Sequence, residues 1–163
     1  MAPLRRGEWV PLVPTPFRWS ILALWVLEPV VRGVDYVTGN GLTTTNSLTF
    51  VEQAMPLWAW GLLFLAGGTL STGGLLLRWP RMTILGLHIA GTTYAAMALG
   101  LAVKVFERGG DGFRTPVMFA VFALTFWFAA FGYLQQWRID QAARAATTQK
   151  LAERGLIGEE KVQ

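Results

Sequence analysis

The chain has 163 residues, of which 53% are hydrophobic and only 15% are charged, and its formal net charge is +4. An ordinary soluble domain carries about 25% charged residues, whereas here long apolar runs separate a few charged stretches. This composition excludes a disordered chain, and the absence of cysteine excludes a disulfide scaffold and thiolate metal sites. We therefore expect an all-α, polytopic integral membrane protein, whose partner is the lipid bilayer and not nucleic acid.

Four apolar segments are long enough to cross a bilayer, because a hydrocarbon core of about 30 Å requires about 20 helical residues. The predicted spans are residues 17–34, 57–77, 82–103 and 116–137. Together they form a four-helix transmembrane domain over residues 17–137. The first span is the least apolar, since it contains Glu28 and Arg32, and we expect it to be retained rather than cleaved as a signal peptide.

Charged segments flank this domain at both ends. Residues 1–16 form the predicted N-terminal segment, and residues 138–163 form a tail whose alanines, glutamines and mixed charges favour a helix. Most lysines and arginines lie in these two segments and in the turn from Arg78 to Arg81, which joins the second and third spans as an antiparallel hairpin. The positive-inside rule then predicts a bacterial inner-membrane protein with both termini in the cytoplasm.

One long loop separates the first two spans. It contains the turn signal Gly39-Asn40-Gly41. A short helix is predicted from Thr49 to Met55, directly before the second span, because Thr49 and Glu52 have the spacing of a capping box.

Glu28, Arg32 and His88 are the candidate polar residues inside the predicted spans, where ionisable groups are costly and often functional. Glu28 and Arg32 are four residues apart, so their side chains can pair on one helix face. The pair is either a proton- or ion-responsive site or a self-satisfied pair near the outer end of the span. His88 either titrates or binds a metal, or it forms a hydrogen bond to a hydroxyl of Thr69, Ser71 or Thr72 across the hairpin.

Small residues recur at a spacing of four in the second and third spans, and such pairs allow helices to approach closely in lipid. The candidate association residues are Gly67, Gly68, Ser71, Thr72, Gly86, Ala90, Gly91 and Ala95. The third span has two such faces, more than one neighbouring helix needs. We therefore expect self-association into a homo-oligomer, although packing within the chain's own bundle is the alternative.

The fourth span has a different pattern, a stripe of aromatic residues. Its members are Phe119, Phe122, Phe126, Trp127, Phe128, Phe131 and Tyr133. We interpret this stripe as a wall that faces lipid or a partner rather than a cofactor site. The sequence contains no nucleophile with a base, no phosphate-binding glycine loop and no metal-ligand cluster, so we expect neither an enzyme nor a cofactor.

The overall layout consists of a short basic start, four spans, a Trp-Pro turn from Arg78 to Arg81 and a charged helical tail. With its Ala-, Gly-, Leu-, Arg- and Trp-rich composition, this layout resembles the small four-span membrane proteins of actinobacterial phages and prophages that are often labelled holin-like. The resemblance implies an inner-membrane protein that self-associates and alters membrane permeability. The alternatives are an accessory subunit of a larger respiratory or transport complex, and a small oligomeric channel or transporter that depends on Glu28 and His88.

Overall fold

The computed structural model describes residues 15–39, 49–110 and 112–153, and every regular element within these ranges is a helix. The helices are α1 (Thr15–Thr38), α2 (Thr49–Ala54), α3 (Leu57–Leu76), α4 (Pro80–Glu107) and α5 (Arg114–Glu153). The all-α prediction is confirmed for the described residues. The predictions for the N-terminal segment before Thr15, for the loop at residues 40–48 and for the last ten residues of the tail lie outside them.

Three helices, α3, α4 and α5, are long and apolar enough to cross a membrane. They contain the second, third and fourth predicted spans, which agrees with the expectation of a membrane protein. The 24 residues of α1 would extend over about 36 Å at a rise of about 1.5 Å per residue. However, α1 is not among the three, because Glu28, Arg32 and Asp35 place three charged residues in its most apolar stretch. The four-span arrangement therefore stays a prediction.

The helices neighbour one another in the order α1, α3, α4, α5, and the short α2 rests against α4. A hydrogen bond from the Trp60 indole to the Val51 carbonyl, 3.2 Å long, ties α2 to the start of α3. Val51 itself is almost completely buried. The residues before α3 are thereby attached to the bundle.

The turn between α3 and α4 forms the predicted antiparallel hairpin. The backbone N–H of Trp79 donates to the Gly74 carbonyl over 2.7 Å, and the N–H of Arg78 donates to Leu75 over 3.3 Å. These two bonds define a Schellman cap. Pro80 then begins α4 at a position where a missing N–H costs nothing. Sequence and backbone geometry thus agree on a sharp reversal.

Glycine allows α3 and α4 to pack with their backbones in contact. A Cβ atom at Gly67 would lie 2.8 Å from the backbone nitrogen of Ala90, and one at Gly86 would collide with the backbone nitrogen of Ser71. Any larger side chain would force the two helices apart, because backbone atoms cannot move aside as the end of a flexible side chain can.

The longest helix, α5, contains 40 residues and runs without interruption from the predicted fourth span into the predicted tail. Its first half packs on α4, with Phe119, Ala123 and Phe126 buried. From Arg138 onward almost every residue is exposed. The second half of α5 thus projects beyond the bundle.

Candidate functional site

The predicted pair of Glu28 and Arg32 is formed in the middle of α1. The Nε atom of Arg32 donates to Oε1 of Glu28 over 2.9 Å, and Nη2 donates to the same oxygen. The side chain of Glu28 is 27% exposed and that of Arg32 is 22% exposed. The carboxylate therefore neutralises the guanidinium one helical turn away, which lowers the cost of holding both charges in apolar surroundings.

Aromatic rings enclose the charged end of Arg32. Its guanidinium carbon lies 4.8 Å from the centre of the Phe119 ring and 5.8 Å from that of Tyr94. A cation over an aromatic face gains about 0.5–2 kcal/mol, with the larger value where water is excluded. Arg32 is thus bound to α4 and α5 by ring contacts as well as to its own helix by Glu28.

Tyr94 lies at the centre of this aromatic group and is completely buried. Its ring centre is 4.7 Å from that of Phe64, 5.2 Å from that of Phe122 and 5.5 Å from that of Phe126. Such pairs contribute about 0.5–1.5 kcal/mol each beyond the area that they bury. The ring of Tyr94 therefore holds α3, α4 and α5 together around one point.

Two buried oxygens at this site have no hydrogen-bond partner among the described residues: Oε2 of Glu28 and the hydroxyl of Tyr94. A buried polar atom without a partner costs about 1–3 kcal/mol. Two oxygens of this site thus lack hydrogen bonds, and an entering water molecule would stabilise both by providing them.

The side chains around the pair also close the contact between the first and last helices. The Trp25 ring stacks on Phe126 with centres 5.6 Å apart, and Arg32 covers Phe119. The backbones of α1 and α5 make few close approaches, in contrast to those of α1 and α3. We call this contact, formed by Trp25, Arg32, Phe119 and Phe126, the α1–α5 seam.

His88 does not belong to this site. It is partly buried on α4, where its ring meets the edge of Phe131 with centres 5.7 Å apart. Among the described residues His88 forms no hydrogen bond with any of the three candidate hydroxyls across the hairpin, and each of these hydroxyls donates to a carbonyl of its own helix. These bonds run from Thr69 to Leu65, from Ser71 to Gly67 and from Thr72 to Gly68.

The small residues from which self-association was predicted pack against other helices of the same chain. Gly67, Gly86 and Ala90 form the α3–α4 interface. The second small face of α4 meets α5, since a Cβ atom at Gly91 would lie 2.7 Å from Cδ1 of Trp127. Both small faces of α4 thus pack against helices of its own bundle, which agrees with the alternative to self-association, while the homo-oligomer stays a prediction.

The remaining small residues also have partners in the chain. Gly68 of α3 meets α1, where a Cβ atom would lie 2.6 Å from Cγ2 of Val30. Ser71 and Thr72 bond to their own helix as described above, and Ala95 packs against the core.

The aromatic stripe of α5 is divided between the core and the surface. Phe119 and Phe126 are buried around Tyr94, whereas Phe128 and Phe131 are 69% and 56% exposed. The interpretation as a single outward wall is thus wrong for the buried members. They turn inward because the small residues of α4 leave room for rings.

Tyr94 is the site residue that the sequence analysis missed. A signal was available, because Tyr94 lies in an uncharged run and the small residues Ala90, Gly91 and Ala98 are one turn away on the same helix. Small neighbours at this spacing leave space for a large ring.

The described residues contain no group of three or more His, Asp or Glu side chains that could hold a metal ion. Comparisons with protein-family models, curated proteins and solved structures give no match. In the described residues the protein is all-helical, and three of its helices are fit to cross a membrane. A further helix, α1, carries an ion pair that packs against aromatic rings of α4 and α5.

Proposed function

We propose that this chain is a holin-like protein of the bacterial inner membrane, which assembles into homo-oligomers and alters membrane permeability without catalysis. In this proposal α1 is the first of four spans and both termini are cytoplasmic. The α1–α5 seam carries the proposal, because it holds an enclosed ion pair at a contact made by long side chains.

The physical basis is the cost of charge in lipid. A charged side chain at the centre of a membrane helix costs about 2.5–3.5 kcal/mol on insertion scales. Packing against α4 and α5 keeps most of the Glu28 and Arg32 side chains away from lipid in the single bundle. If α1 moves away from α5, the two charges lose these contacts. They are then stable only next to water or another polar surface.

Several copies can provide such a surface together. With α1 displaced, Glu28, Arg32 and the Tyr94 hydroxyl would face one another across a shared, hydrated space, where the two unpartnered oxygens gain hydrogen bonds. A closed bundle would therefore be inert, and assembly would stabilise the open form by mass action as the protein accumulates. Cooperative opening after a delay follows from this dependence on concentration.

The outer surface of α1 is suited to contacts between copies. Leu24, Leu27 and Val31 are all at least half exposed and lie on the side of the helix away from the bundle. Because the small residues pack within the chain, we assign the contacts between copies to these bulky aliphatic side chains instead of to the glycine faces.

The proposal is tested by inducible expression in a bacterial host, with membrane potential followed by a dye. We expect sudden depolarisation after a silent delay. The double variant Glu28→Leu/Arg32→Met removes both charges from the seam and should abolish depolarisation at equal membrane levels. The matched control Lys104→Gln/Glu107→Gln removes the other ion pair between described residues, which is exposed and spans 2.9 Å, and should behave like the parent chain.

A second candidate function is an accessory subunit of a larger membrane complex. It is favoured by the small residues, because their occupation within the chain removes the expected contacts between copies. This function predicts unchanged membrane potential at high expression and co-purification with other membrane proteins. A dependence of activity on His88, tested by His88→Ala, would instead favour a small channel or transporter.

A further inference from the structure

A cleft of about 560 Å³ lies between the α3–α4 turn and α5. Its volume falls within the range of about 300–1,000 Å³ that is usual for small-molecule sites. The apolar helices α3 and α4 meet at this turn, so the cleft lies where a spanning hairpin would leave the hydrocarbon core. Lipid headgroups occupy this level of a bilayer.

Positive charge predominates in the cleft. Arg78, Arg81 and Arg144 line it, together with one carboxylate, Asp140. Asp140 accepts a hydrogen bond of 2.9 Å from Gln136, and within the described ranges no ion pair joins it to any of the three arginines. Guanidinium groups bind phosphate oxygens through paired hydrogen bonds, so this arrangement suits a phosphate anion.

The rims of the cleft suit a lipid. Trp79 is 59% exposed beside the turn, and the Trp137 ring lies 5.3 Å from the guanidinium carbon of Arg81. Tryptophan favours the boundary between headgroups and acyl chains. Leu76 and Leu77, at the adjoining end of α3, are largely exposed and offer an apolar surface for acyl chains.

The backbone at Arg78 indicates that its side chain is placed for a purpose other than stability. Arg78 has φ of 55° at the position of its Schellman cap where glycine is usual. The same cap ends α4, with bonds from Gly110 to Val105 and from Gly109 to Phe106, and there Gly109 occupies this position with φ of 84°. A left-handed conformation is unfavourable for arginine, and such strain is often found at functional sites.

We propose that this cleft binds the phosphate of an anionic membrane phospholipid, with Arg78, Arg81 and Arg144 as its ligands. The headgroup occupies the cleft, the tryptophans lie at the interface, and the acyl chains follow the exposed leucines at the end of α3. This site is independent of the seam and of the permeability proposal, and it fixes the hairpin turn at one leaflet.

The test measures binding of short-chain phosphatidylglycerol to the detergent-solubilised protein by native mass spectrometry, with phosphatidylcholine of equal chain length as the uncharged reference. We expect preferential binding of phosphatidylglycerol. Arg78→Gly should weaken it about tenfold, as expected for the loss of a charge-assisted hydrogen bond. The same variant should unfold at an equal or higher temperature, because glycine relieves the strained backbone.

The control is Arg138→Gln, which removes one positive charge from α5 outside the cleft and should bind as the parent chain does. Equal binding of the two lipids, unchanged binding by Arg78→Gly, or an equal loss in Arg138→Gln would overturn the proposal. Complete displacement of phosphatidylglycerol by inorganic phosphate at equal concentration would also overturn it, since the site would then recognise the free anion rather than a lipid.

Discussion

In the α3–α4 interface glycine backbones touch, whereas in the α1–α5 seam the helices meet through long side chains. The first contact is uncharged and leaves no room for a Cβ atom at Gly67 or Gly86. The second encloses an ion pair and lies next to two buried oxygens without partners among the described residues. Unpartnered polar atoms offer hydrogen bonds to entering water, whereas close backbone packing leaves no room for it.

We propose that the α3–α4 interface holds the bundle together and that the α1–α5 seam is the contact that can open. The α3–α4 hairpin has a short turn with two cap bonds, and the hydroxyls of Ser71 and Thr83 that are buried in it donate to backbone carbonyls, so we treat it as the rigid half. Beside the seam, Glu28 and Tyr94 each have one buried oxygen without a hydrogen-bond partner among the described residues. The following variants disturb the two contacts in turn.

The largest effect is expected from Gly86→Leu, because the new side chain would meet the backbone of Ser71. Forcing extra atoms into a packed contact costs about 1–3 kcal/mol, and here the upper end applies because backbone atoms cannot yield. Thermal unfolding in detergent and size-exclusion chromatography should show a loss of folded, monodisperse protein. Gly132→Leu is the matched control, since Gly132 on α5 has open space around it; equal behaviour of the two variants would refute the close interface.

A smaller effect is expected from Glu28→Gln, which leaves the Arg32 guanidinium without its carboxylate. We expect a loss of about 1–3 kcal/mol in the free energy of unfolding, the usual cost of a broken charge-assisted bond. The apolar double variant Glu28→Leu/Arg32→Met should recover much of this stability, because replacing an enclosed pair by hydrophobic residues is often neutral. A double variant no more stable than Glu28→Gln would contradict the seam described here.

The smallest effect is expected from Tyr94→Phe. The substitution removes the unpartnered hydroxyl and keeps the ring contacts with Phe64, Phe122 and Phe126. Stability should rise slightly, by about 1 kcal/mol, because a buried group without a partner is lost. A clear decrease in unfolding temperature would mean that the hydroxyl has a partner in the membrane, such as a bound water.

Much of this architecture follows from local sequence rules. The long apolar runs predict α3, α4 and the first half of α5, and Pro80 marks the start of α4. The pairing of Glu28 with Arg32 follows from their separation by one helical turn. These features depend on residues close in sequence, where helix geometry alone decides what can meet.

The sequence-based expectations that differ from the structure have a common physical cause. Whether Gly91 faces a second copy or Trp127 of the same chain depends on how far each helix is rotated about its axis, and periodicity alone does not give this rotation. The same rotation turns Phe119 and Phe126 inward and places Tyr94 at their centre. The strain at Arg78 is a further case, since a left-handed arginine cannot be recognised from the sequence Arg-Trp-Pro-Arg.

The most direct test of the account is to close the seam covalently. The chain has no native cysteine, so Trp25→Cys/Phe126→Cys can be joined by a short thiol cross-linker in dye-filled liposomes. His88→Cys/Phe131→Cys is the control, because this pair of rings is similarly close, at 5.7 Å against 5.6 Å, but joins α4 to α5 outside the seam. We expect that cross-linking the seam stops dye release, while the cross-linked control and both variants without cross-linker still release dye. Undiminished release from the cross-linked seam would contradict it.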